Sequence, residues 1–72
     1  MKNMLKLIKN GAYANVVDYD KHNNLITTQL RFNNVSHRFY LSDDERGYVR
    51  EVITRKEAMR RISHTLYLIS NV

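Results

Sequence analysis

From Thr54 onward, apolar residues recur at the spacing of one helical face, and no other stretch of the chain constrains the fold as strongly. Met59, Ile62, Leu66 and Ile69 follow one another at intervals of three and four, with Ala58 beside them. A helix aligns such residues on one side, which must then be buried. Thr54 and Glu57 form a capping-box pattern, in which the hydroxyl accepts a first-turn backbone N–H and the carboxylate reaches back to the cap. The other side carries Lys56, Arg60, His64 and Tyr67, flanked by Arg61 and Leu68. Neither Arg60 nor Arg61 falls on the predicted buried stripe, so reversing both charges is expected to leave the fold intact.

Upstream, alternation replaces the helical period. Residues 1–9 fit either pattern: Met1, Met4, Leu5 and Ile8 share a helical face, while Leu5, Leu7 and Lys9 alternate as in a strand. Asn10-Gly11 supplies the positive φ angles of a type I′ turn, which predicts a hairpin between residues 5–8 and 13–19. A short helix closed by Gly11 is the alternative. Asp20 to Asn24 is polar and turn-forming, hence a connection. Residues 25–32 and 35–41 flank Asn33-Asn34, and asparagine tolerates the left-handed conformation. A two-residue loop there sets Phe32 against Val35, Leu30 against His37, Thr28 against Phe39 and Ile26 against Leu41. The opposite side then carries Arg31, Gln29, Arg38, Thr27 and Tyr40, so one face is apolar and one polar. Ser42 and Glu45 suggest one helical turn ended by Gly47, followed by a short strand over residues 48–53. The expected fold is a single α+β domain spanning residues 1–72: an antiparallel, hairpin-rich sheet of four or five strands with the C-terminal helix packed on its apolar face.

A chain of 72 residues has room for one small core, since a domain of this size buries only about 60% of its unfolded surface. A homodimer would add to that burial. The chain has no cysteine, which fits a reducing compartment, and no apolar run reaches membrane-spanning length. Without a signal-peptide pattern, a soluble cytoplasmic protein is expected, with no membrane partner. The net charge of +5 comes from 12 Lys and Arg against seven Asp and Glu, and it points to polyanions, acidic protein surfaces or anionic lipid as partners without choosing among them.

No catalytic pattern emerges, so a non-enzymatic protein is expected. The consecutive acids Asp43, Asp44 and Glu45 point in different directions and lack the alternating ligand spacing of a calcium loop. His22, His37 and His64 have no zinc-ligand spacing, and the predicted register places His37 half-buried on the apolar face. The serines lie in no nucleophile elbow, and two glycines make no phosphate loop. No metal or cofactor is implied.

What remains is a binding surface. Arg55 and Lys56 occupy a first turn where the helix dipole already favours anions, and with Thr54 they form an anion-receptive spot. Arg60, Arg61, His64 and Tyr67 extend it. On the polar sheet face Arg31, Arg38 and Tyr40 form a secondary surface of the kind that stacks and neutralises single strands. The leading expectation is a protein that engages nucleic acid, or a nucleic-acid-handling protein complex, through its basic C-terminal helix. The alternative is a small protein–protein inhibitor or regulator docking by a helix face or sheet edge, of the kind met as accessory proteins of phages and mobile elements, or a homo-oligomer that sequesters a small anionic nucleotide.

Overall fold

The computed structural model describes residues 2–43 and 46–70. In chain order the elements are α1 (Lys2–Lys9), β1 (Ala14–Tyr19), β2 (Leu25–Asn33), β3 (Arg38–Ser42), β4 (Glu51–Ile53) and α2 (Arg55–Ser70). The four strands form one antiparallel sheet in the order β1-β2-β3-β4. Both helices contribute to one core, in which Leu5 and Ile8 of α1 and Ala58 and Ile62 of α2 meet Val16, Leu30, Phe39, Leu41 and Ile53 from the sheet. The expected α+β class is therefore observed, with four strands and a C-terminal helix packed on the apolar face.

The N-terminal hairpin is replaced by a helix. Asn10-Gly11 acts as a helix stop: Ala12 N–H donates to Leu7 O at 3.1 Å and Gly11 N–H to Ile8 O at 3.1 Å, with Gly11 at φ 105°. This is a Schellman cap, which needs a left-handed residue just past the helix end. The helical alternative wins because Leu5 and Ile8, one turn apart, both enter the core and are almost completely shielded from solvent.

The β2–β3 register also differs from expectation. The loop has four residues, 34–37, and the pairs are Leu30 with Leu41, Phe32 with Phe39, and Arg31 with Tyr40. Asn33 Oδ1 accepts the N–H groups of Val35 (2.8 Å) and Ser36 (3.2 Å), and His37 takes the left-handed conformation at φ 58°. His37 is thus an exposed turn residue rather than a half-buried one opposite Leu30. Each β2 residue meets a partner four positions later than expected. An even shift keeps every side chain on its face, so the apolar and polar faces remain as read.

β4 is confined to Glu51–Ile53; Tyr48 and Val49 are exposed and lie outside it. Ser42 closes β3. The helical turn expected after it rests on Asp44 and Glu45, which lie outside the described residues.

In α2 the buried stripe is Ala58, Ile62 and Thr65, with Met59 half-buried, whereas Leu66 and Ile69 are 45% and 64% exposed. The expected stripe of Met59, Ile62, Leu66 and Ile69 is therefore rotated and cut short. Thr65 gains its place by serving an edge strand. Its Oγ1 accepts Val17 N–H at 3.0 Å and donates to Arg61 O at 2.7 Å. An edge amide left dry and unpaired would be costly, so a helix laid along β1 stabilises both elements.

Candidate functional site

Thr54 links β4 to α2 and starts the helix. Its Oγ1 accepts Glu57 N–H at 3.1 Å and its carbonyl accepts Ala58 N–H at 2.9 Å. Only half of the capping box is formed. The Glu57 carboxylate turns away to Arg60 and Arg61, which offer charge-assisted bonds in place of the neutral amide of the cap.

Ile53, buried in the core, holds this junction against the β2–β3 hairpin. Between them lies a groove of about 370 Å³ lined by Lys9, Phe32, His37, Arg38, Phe39, Ile53, Thr54 and Arg55. Three separate regions supply its charge: the end of α1 (Lys9), the start of β3 (Arg38) and the start of α2 (Arg55). Among the described residues, every charged one lining the groove is basic. Its aromatic wall is ordered by edge-on packing, with the Phe32 and Phe39 rings 4.9 Å apart at 64° and the Phe32 and His37 rings 6.3 Å apart at 69°. Lys9 Nζ stands 5.7 Å from the centre of the Phe32 ring, within range of a cation–π contact.

The expected basic surface is therefore divided. Thr54 and Arg55 border the groove, and exposed Lys56 follows them in the first turn. Arg60 and Arg61 belong to a structural ion network. Arg61 lies 2.6 Å from Asp18 and 2.8 Å from Glu57, and Arg60 lies 2.6 Å from Glu57. Arg50 extends the network, 3.2 Å from Asp18 and 2.7 Å from Asp43. Arg60 above all, opposed by burial and aided by Arg61, holds the Glu57 carboxyl down at about 2. Burial raises the Asp18 carboxyl, but the Tyr19 N–H, Arg61 and Arg50 outweigh it and hold it below its ordinary value. Burial likewise works against the Arg61 charge, and Glu57 and Asp18 overcome it and raise its pKa.

His64 is half-buried with its ring 6.3 Å from Tyr19, and Tyr67 is exposed further along the helix. The secondary surface is divided too. Arg38 reaches the groove, while Arg31 stacks over Tyr13 at 4.7 Å and donates to Gln29 Oε1 at 2.8 and 3.0 Å. Tyr40 packs by that arginine near Gly47.

Lys9, Phe32 and His37 escaped the sequence reading. A hairpin between residues 5–8 and 13–19 left Lys9 beside its turn, and the two-residue loop placed His37 on the core face. The signals that point the other way are the asparagine at position 33, able to cap the amides two and three residues on, and the Phe32–Phe39 match as a cross-strand aromatic pair.

A second depression, about 130 Å³, is apolar and lies between the helices over β1, lined by Met4, Ala14, Val16, Ile62, Leu66 and Ile69 among others. Among the described residues no cluster of His, Cys, Asp or Glu is arranged to hold a metal ion, and no helix is long and apolar enough to cross a membrane. Comparison with protein-family models, with curated proteins and with solved structures gave no match.

Proposed function

We propose that the protein is a non-enzymatic binding module that engages nucleic acid through the basic groove at the start of α2. One observation carries this reading: Lys9, Arg38 and Arg55 converge from three elements on a single groove whose charged lining, among the described residues, is entirely basic. Clustering like charges is unfavourable in the free protein, and a polyanion offsets that repulsion while releasing its condensed counterions. The hydroxyl-capped start of α2 adds a dipole of the same sign.

Fluorescence anisotropy against random-sequence single- and double-stranded DNA and RNA, titrated from low to physiological salt, tests the reading. Binding is expected to weaken steeply with salt. Arg38→Glu/Arg55→Glu is expected to lower affinity and reduce the logarithmic salt slope by about two, one for each lost phosphate contact. Absence of binding at physiological salt sinks the reading.

A second reading is favoured by the apolar depression between the helices. Leu66 and Ile69 expose aliphatic surface at its rim, which suits a regulator that docks on a protein partner. Recovery of one specific protein from a lysate, together with indifference to nucleic acid, would favour it.

A further inference from the structure

We infer that the groove selects single-stranded nucleic acid by seating an unstacked base against Phe32 and His37 while flanking phosphates meet Lys9, Arg38 and Arg55; this rests on the polyanion reading above. Phe39 serves the core, but Phe32 is only half-buried and His37 is exposed, so aromatic surface reaches the groove beside its cations. Here the wall and the cations line the same open groove of about 370 Å³, roomy enough for a single base. Phe32 is held by Phe39, their rings 4.9 Å apart, while the Lys9 ammonium over its ring at 5.7 Å moves to a flanking phosphate when a base takes that face. The Phe32 ring is thus pre-positioned, which lowers the ordering cost of binding.

His37 is exposed at the tip of the hairpin, held there by a backbone bond from its N–H to Asn33 O at 2.8 Å. The left-handed conformation at φ 58° turns the chain back into β3 and brings Arg38 next to it in the groove. Aromatic surface and phosphate ligand thereby sit on consecutive residues, matching the alternation of base and phosphate along a single strand. Stacking on aromatic side chains is tolerant of base identity, so the groove distinguishes strandedness rather than sequence. An intact duplex keeps its base faces inside the stack and offers this groove only phosphates.

The test uses the full chain and three labelled probes at one salt concentration: a twelve-nucleotide oligothymidylate, an abasic phosphodiester of the same length, and a duplex of the same length. The oligothymidylate is expected to bind about tenfold more tightly than either of the others. His37→Asn, which keeps a residue tolerant of positive φ, and Phe32→Leu are each expected to narrow that gap several-fold with little change in affinity for the abasic probe. His37 is exposed, so its variant remains informative even if Phe32→Leu disturbs folding. Equal binding of the oligothymidylate and abasic probes overturns the inference while leaving the polyanion reading in place. A tenfold preference that both variants leave untouched also overturns it, because the base is then read elsewhere. Failure of all three probes to bind at physiological salt overturns both.

Discussion

The guanidinium of Arg61 sits 2.6 Å from Asp18 and 2.8 Å from Glu57 with a side chain only 16% exposed, whereas Arg60 is 65% exposed and has Glu57 as its ion-pair partner. Exposed pairs contribute up to about 1 kcal/mol, while stranding a partly buried charge costs considerably more. Arg61→Glu is therefore expected to lower stability by more than about 2 kcal/mol, and Arg60→Glu by clearly less. Urea denaturation checks this through the midpoint at constant m-value; equal midpoints would mean that the Asp18–Arg61 pair is not formed in solution. The expectation that both positions accept charge reversal without consequence for the fold is thus withdrawn for Arg61. A helical wheel shows which residues flank the buried stripe. It does not show that Asp18, on a strand far away in sequence, will face one of them, so Arg61 was legible as basic and not as structural.

At the scale of elements, the faces of the sheet were readable and the loop joining β2 to β3 was not. Side-chain alternation has a period of two, so any even error in register preserves inside and outside, and Leu30, Phe39 and Leu41 were assigned to the correct face through a wrong pairing. The sense of residues 2–9 turned on one dipeptide. Asn-Gly serves a hairpin and a helix end equally well, and the choice rests on whether Leu5 and Ile8 find a common core, which is a tertiary fact. The cap itself makes a local prediction. A Cβ on Gly11 would meet nothing within 4 Å, so Gly11→Ala is resisted only by the backbone at φ 105° and is expected to cost about 1 kcal/mol. Gly11→Asn is expected to cost less, because asparagine visits positive φ more readily. Thermal unfolding of the two variants measures the difference, and a neutral Gly11→Ala would mean that the Schellman cap does not govern how α1 ends. Likewise α2 was legible in its start and its amphipathicity. Its buried stripe was misread because a threonine that caps the β1 edge outranks Leu66 and Ile69 for burial, a preference no hydropathy pattern records.

For the whole molecule, the ion network joins at the surface pieces that also meet in the core. Asp18 on β1 meets Arg61 on α2 and Arg50 in the β3–β4 connection, and Glu57 gathers Arg60 and Arg61 along the helix. Stability should accordingly depend on acid. Glu57 falls from its ordinary 4.5 to about 2 on folding, and Asp18 is also depressed from 3.8. For a carboxyl lowered by folding, the unfolded chain binds the proton first as pH drops. The Glu57 contribution is therefore fully present above its ordinary pKa, declines as pH falls below about 4.5, and is gone once the folded carboxyl protonates near 2. Asp18 adds to the loss at the lower part of this window. Protonation also raises the positive charge of a chain that already carries +5, so self-repulsion acts in the same direction. Urea midpoints measured at intervals between pH 6 and pH 2 are expected to hold steady at first and then fall through that window. Glu57→Gln should lower the plateau at neutral pH and flatten the descent, since the variant has no carboxyl to titrate at that position. Lys9, Arg38 and Arg55 lie outside the ion network, so the same substitution should leave nucleic-acid affinity near neutral pH largely unchanged. A descent as steep in Glu57→Gln as in the natural chain would show that the acid sensitivity arises from other carboxyls and that the helix-spanning pairs contribute little to holding the two layers together.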